Sequence, residues 1–252
     1  GGGRNVGRWS LILGLKGMPA AAEDVDVVRD CVLAKLTKAK VHIAHVSTRG
    51  ALEAVRRAKD EGLDLTCEVT PHHWTLTDEA VAEYDTNTKM SPPLRSREHV
   101  DAVIEAMKDG TIDSIATDHA PHHLDEKALE FDQAAFGITG LETAVGLAFD
   151  LVHAGVIDLE RVVQMCATNP ARIFGLADRG SLKAGAHADV TLLDANYAWV
   201  FDVKQSKSKS RNTPFNGRTM QGAAVATIVG GRLVYLHSDY KHINESKQRG
   251  AS

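Results

Sequence analysis

Between Pro19 and about Gly155, short β-branched runs alternate with segments of helical period, and histidines or aspartates sit just past the runs. Val25, Val28, Cys31, Val32 and Leu36 recur at helical spacing and predict a helix over residues 20–37. Lys40 to Val46 predicts a buried strand, after which Ser47 caps a helix through about Glu61 that Gly62 ends. Leu63 to Thr70 predicts a second strand, stopped by Pro71. A short helix is expected near Asp78 to Glu83, before Ser91-Pro92-Pro93 interrupts regular structure. An amphipathic helix over 96–108, closed by Gly110, leads to a third strand from Ile112 to Thr117. Asp118 is the first residue beyond it, and a polar loop to Gly140 precedes helices near 141–153 and 158–167.

Such alternation implies an α/β fold with a parallel sheet, either open and doubly wound or closed into a barrel. In both architectures ligands bind beyond the carboxyl ends of the strands. His45, Ser47, His72, His73, Asp118 and His119 all fall there. No glycine-rich phosphate loop follows a strand, which argues against a nucleotide. After Gly180 the pattern changes. Ala188 to Leu193 and Ala224 to Val229 are strand-like, and Gly230-Gly231 turns the chain into Arg232 to Leu236, so a separate all-β piece is expected. The polar tail from His237 onward is predicted to be disordered.

Charge and composition remove other classes. The net charge of −4 and the absence of a dense basic cluster exclude a phosphate-backbone track, since the Lys204 to Arg211 stretch is spaced by serines. No run approaches the ~20 apolar residues of a membrane span. Cys31, Cys67 and Cys166 lack CxxC spacing and lie in apolar contexts, so they are expected to be reduced and buried in a cytoplasmic protein.

Among the chemically capable residues, Asp118-His119-Ala120-Pro121-His122 is the densest cluster. A carboxylate at a strand end with two nearby histidines suits metal ligation or proton transfer, and a turn-capping Asp is the plainer alternative. His42 and His45 are three apart, so on a strand they point to opposite faces and cannot share a metal. His45, at the strand end, is the better ligand candidate, against a hydrogen-bonded strand-end histidine. His72-His73 reads as loop lining more than ligation, and Cys67-Glu68 as a buried thiol beside a strand-edge carboxylate. Arg95 could hold a substrate carboxylate or simply start a helix at the surface.

Together these strings resemble the dihydroorotases. They are Val41 to Ser47, Cys67 to His73, Ser91 to Arg95, Ala116 to His122, Phe136 to Thr143, Thr168 to Ile173 and Asn212 to Gly217, in order from about Gly2 to Tyr235. The resemblance implies the carboxyl-terminal part of a metal-dependent-hydrolase (β/α)8 barrel over 1–176, a β-sandwich segment over 177–238 and a tail over 239–252. It also implies zinc, and reversible hydrolysis of dihydroorotate to N-carbamoyl-L-aspartate in pyrimidine synthesis. His45 would be a zinc ligand after strand six, and Asp118 a zinc ligand and general base after strand eight. His122 would bind the substrate carboxylate, and Phe136-Gly137 would contact the substrate ring. Ser91 stands where the family usually has Asn, which alters that substrate contact.

The family's HxH pair, bridging carboxylate and strand-five histidine have no counterpart here, so this chain is expected to form an incomplete zinc site of low activity. Exposed barrel edges imply a homo-oligomer. A hydantoinase or allantoinase, and a non-catalytic scaffold for aspartate carbamoyltransferase, are the alternative readings.

Overall fold

The computed structural model describes residues 3–241. After a short helix α1 (Arg8–Ile12), helix α2 (Ala20–Thr37) leads into strand β1 (Val41–Ile43). Helix α3 (Arg49–Asp60), strand β2 (Leu65–Val69), helix α4 (Pro71–Thr75), helix α5 (Arg97–Asp109) and strand β3 (Ser114–Ile115) follow. The strands form a parallel sheet in the order β1-β2-β3, with His42 opposite Thr66 and Val69 opposite Ile115. Among the described residues no closed eight-stranded barrel is formed.

Local chemistry explains the helix limits. Thr48, not Ser47, caps α3, its hydroxyl accepting from the Ala51 N–H, while Ser47 and Thr48 both donate to Glu23. Pro71 stops β2 and starts α4, where its missing N–H removes nothing from the first turn. Gly110 ends α5 at φ 90°, a left-handed conformation that a side chain would strain. Ala51, Leu52, Val55 and Ala58 of α3 and Val103, Ala106 and Met107 of α5 are buried in one core with Leu65, Cys67 and Val69 of β2. All three cysteines are free; Cys67 is buried, but Cys166 is exposed, contrary to the sequence expectation.

Helix α2 forms where its periodicity predicts, yet the predicted face is not the buried one. Val25 is 66% exposed and Leu36 77%, while Glu23, Val27 and Ala34 are buried. The helix packs against α3 and β1 with one side, and no described residue covers the other.

The chain continues through α6 (Leu124–Lys127), α7 (Ala144–His153), α8 (Leu159–Val163) and, after one π-helical turn at Gln164–Thr168, α9 (Asn169–Ile173). An antiparallel sheet then forms from β4 (Val190–Val200), β5 (Thr219–Val229) and β6 (Arg232–Leu236). Helix α7 packs onto β5 so tightly that a Cβ on Gly222 would lie 2.4 Å from Phe149. The Ser238–Tyr240 segment makes a short 3-10 turn, with the Tyr197 hydroxyl 2.7 Å from Asp239. The rest of the tail, residues 242–252, lies outside the described residues. No helix among the described residues is long and apolar enough to cross a membrane.

Candidate functional site

Two candidate residues meet at the carboxyl ends of the parallel strands. His45 lies just past β1 and Asp118 just past β3, and both have left-handed backbones, φ 55° and 46°. Such conformations are strained for non-glycine residues and persist only when their surroundings hold them. The turns aim the side chains at one another, with His45 Nε2 3.7 Å from Asp118 Oδ1.

Glu68 completes the cluster, and sequence reasoning passed over it as a strand-edge carboxylate. Its Oε1 lies 2.9 Å from His45 Nδ1 and its Oε2 3.1 Å from His42 Nε2. The first contact is close but poorly aligned, so His45 Nδ1 has a charge neighbour and no true hydrogen bond. His42 Nδ1 rests 2.7 Å from Thr66 Oγ1. Burial would raise the Glu68 pKa, but the two imidazoles overcome it and hold the carboxyl at about 2. Glu68 in turn raises the His45 pKa above its ordinary value against the effect of burial, and Asp118 adds to the rise.

The opposite-faces argument for His42 and His45 fails here. Alternation holds only inside a strand, and β1 ends at Ile43. The left-handed turn at His45 swings its ring back, so both imidazoles meet one carboxylate. A sequence signal for Glu68 existed: in Leu65-Thr66-Cys67-Glu68-Val69 the polar residues alternate with apolar ones, which gives β2 a polar face.

The other candidates occupy neighbouring loops. His122 is half-buried, its Nδ1 3.1 Å from Glu126 Oε2. Phe136 is partly exposed, with the Lys89 Nζ 4.4 Å from its ring centroid. Gly137 has φ 109°, and a Cβ there would meet the Ala120 Cβ at 2.5 Å, so glycine alone fits this close approach. Ser91 is exposed at the bend before Pro92, and no hydrogen bond or ion pair found among the described residues joins it to His45 or Asp118.

His72 and His73 are buried on α4. His73 Nδ1 is 2.6 Å from Thr70 Oγ1 and its Nε2 3.0 Å from the Pro92 carbonyl, so Nε2 carries the proton and neither nitrogen is free for a metal. Burial lowers the His73 pKa to about 3 and takes His72 well below its ordinary value. Both therefore stay neutral in the fold but protonate once unfolded. Their stabilisation is complete above about pH 6.5 and is lost as pH falls toward the folded pKa values, by about 1.4 kcal/mol per pH unit for each ring. Glu68 acts only between pH 4.5 and about 2, and the raised His45 pKa works oppositely, above pH 6.5. Urea midpoints should thus fall steeply from pH 6.5 to pH 5. A flat profile over that range would contradict the buried neutral pair.

Arg95 is neither a surface arginine nor available to a substrate. It is 1% exposed and bonds Ser47 Oγ at 3.0 Å, Asn5 Oδ1 at 3.2 Å, the Met18 carbonyl at 3.0 Å and Glu23 Oε2 at 3.2 Å.

A separation of 3.7 Å is slightly wider than the ~3.3–3.6 Å expected between two ligands of one tetrahedral ion with bonds of about 2.0–2.2 Å. Among the described residues no group of three or more His, Cys, Asp or Glu is arranged to hold a metal. These residues do not fit a complete zinc site.

The model of the amidohydrolase family matches residues 18–234. A protein named dihydroorotase from Geobacter metallireducens is 54% identical over 231 residues, covering 92% of this chain and 54% of its own length. Another so named, from Acetivibrio thermocellus, is 48% identical over 235 residues, covering 93% and 55%. The chain thus spans about half the length of the curated relatives it matches. In structure it is similar to the L-hydantoinase (dihydropyrimidinase) of Arthrobacter aurescens, with TM-score 0.83, 30% identity, and coverage of 87% of this chain and 50% of that one. Dihydropyrimidinase from Brevibacillus agri shares the fold at TM-score 0.82 and 24% identity.

Proposed function

The chain belongs to the amidohydrolase family, and we propose that it carries the strand-six-to-strand-eight part of a dihydroorotase, with the half-barrel over residues 1–176 and a β-sandwich segment over 177–238. The 3.7 Å approach of His45 to Asp118, across the ends of β1 and β3 on one face of the sheet, is the observation that carries this reading. Asp118 acts as general base: it takes a proton from the attacking water as the oxygen adds to the ring amide carbonyl. The C–N bond then breaks, and the same proton passes to the leaving nitrogen, giving N-carbamoyl-L-aspartate. His122 holds the substrate carboxylate, Phe136-Gly137 flank the ring, and Ser91, standing where the family usually has Asn, leaves that substrate contact altered or weakened. Zinc dependence belongs to this reading, with His45 and Asp118 as two of its ligands.

A hydantoinase-type cyclic amide hydrolase is the second reading, favoured by the 30% identical L-hydantoinase structure. Steady-state assays with dihydroorotate, hydantoin and allantoin, on a chimera joining this chain to the amino-terminal half of a curated dihydroorotase, separate the two. Preference for dihydroorotate is expected; preference for hydantoin refutes the leading assignment. Equal inactivity toward all three, in a folded chimera, favours a scaffold for aspartate carbamoyltransferase.

This chain alone, with added zinc, is expected to turn over dihydroorotate far below ordinary enzyme rates of ~1–10³ s⁻¹. Ordinary turnover would show that the two strand-end ligands suffice.

Self-association is expected as well. Val25, Val32 and Leu36 of α2 are exposed, and the outer edge of β1 pairs with no described strand. Light scattering at micromolar concentration should give a dimer or larger species, and a clean monomer would count against it.

A further inference from the structure

Asn212 lies between β4 and β5, far along the chain from Asp118, and its side chain is only 5% exposed. Its Nδ2 donates to the Ala120 carbonyl at 2.9 Å and to the Gly137 carbonyl at 3.0 Å. Its Oδ1 accepts from the His122 N–H at 3.2 Å, and its own carbonyl accepts from the Thr139 N–H at 2.9 Å. One side chain thus uses donors and acceptor together to join the loop after Asp118 to the loop that holds Phe136 and Gly137.

Two buried lysines brace the second loop from behind. Lys127 Nζ donates to the carbonyls of Ala135 at 2.8 Å and Gly137 at 3.1 Å. Lys89 Nζ donates to those of Asp132 at 3.0 Å and Ala134 at 2.6 Å, and the Lys89 carbonyl accepts from the Gly137 N–H at 2.9 Å. The two loops also join directly, the Ala120 N–H donating to the Ile138 carbonyl at 2.8 Å. The His119 imidazole also links the loops, its Nδ1 accepting from the Gly140 N–H at 3.1 Å, but Asn212 alone among these braces stands outside both loops and bonds to each through its side chain.

We propose that Asn212 is a positioning residue, setting the spacing between His122 and Phe136-Gly137 so that both meet one small cyclic amide bearing a carboxylate. The proposal rests on the roles given to those residues under the dihydroorotase reading. Asn212 touches no reacting atom; it acts through the loops it joins. Substitution by Asp tests this well, because Asp has the same shape. It keeps the acceptor for His122 but turns the donor toward two carbonyls into a repelling oxygen.

The test uses this chain and its Asn212→Asp variant. Hydrogen exchange is followed by mass spectrometry, and the His122 imidazole NMR signal is followed as dihydroorotate is added. Faster exchange confined to residues 118–123 and 136–140 is expected, with a melting temperature changed by only a few degrees. The variant should need about 10- to 100-fold more dihydroorotate to shift the His122 signal, the usual loss when a supporting residue is removed. A variant that titrates like the wild type, or that loosens the whole chain, overturns the proposal and leaves the functional reading standing. A wild-type His122 signal that ignores dihydroorotate overturns the positioning role, while the functional reading is decided separately by the substrate preference of the chimera.

Discussion

Asp118→Asn, placed in the chimera described above, is expected to fold normally and to lose at least about 10²–10⁴-fold in turnover, the usual worth of a positioned general base. The side chain keeps its shape, and Asn tolerates a left-handed backbone as well as Asp does, so φ 46° adds no new strain. What disappears is the anionic oxygen 3.7 Å from His45 Nε2, and with it the capacity to take a proton from water. His122→Ala should differ in kind. It should raise KM for dihydroorotate more than it lowers kcat, because the ring is assigned to the carboxylate and not to the scissile amide. If Asp118 only shaped a turn, Asn would serve nearly as well, and turnover would stay within a few-fold of wild type. That outcome would end the general-base assignment.

Arg95→Leu is expected to destabilise the fold by about 3–5 kcal/mol, the range for removing one partner of a buried charge pair. Glu23 would remain buried with an uncompensated charge, keeping only the neutral donors of Ser47 and Thr48 at its carboxylate. Asn5, Met18 and Ser47 would each lose a hydrogen-bond partner in the same step. The double variant Arg95→Leu/Glu23→Leu should recover much of the loss, since the stranded charge is gone. Urea unfolding at pH 7 of the wild type, Arg95→Leu, Glu23→Leu and the double variant measures both quantities. A single-variant loss below about 1 kcal/mol would mean that solvent reaches this network and screens it. The knot begins only two residues after His45, so its loosening should also blur the strand-end turn that aims that ring.

The order and type of the parallel strands and of the longer helices α2, α3, α5 and α7 could be read from the sequence, because periodicities of 2 and 3.6 are local properties, whereas the short helices α1, α4 and α6 carry too few turns to show one. The sequence also placed Asp118 beyond its strand and His45 at the end of one, since Ser47, Thr48 and the polar loop after Asp118 mark where apolar runs stop. Their facing one another could be expected only from strand-end position and family resemblance. The actual approach depends on two left-handed turns that no propensity predicts. Three features were decided by tertiary structure alone. Helix α2 buries Val27 and Ala34 and leaves Val25 and Leu36 exposed, because burial depends on which neighbours arrive, and periodicity marks only which face could accept them. Arg95 reads as a surface residue until Glu23, far earlier in the chain, is seen to neutralise it in the interior. Glu68 becomes a site residue only when His42 and His45 close on its two oxygens, since a carboxylate's role is set by the charges the fold brings within a few ångströms of it.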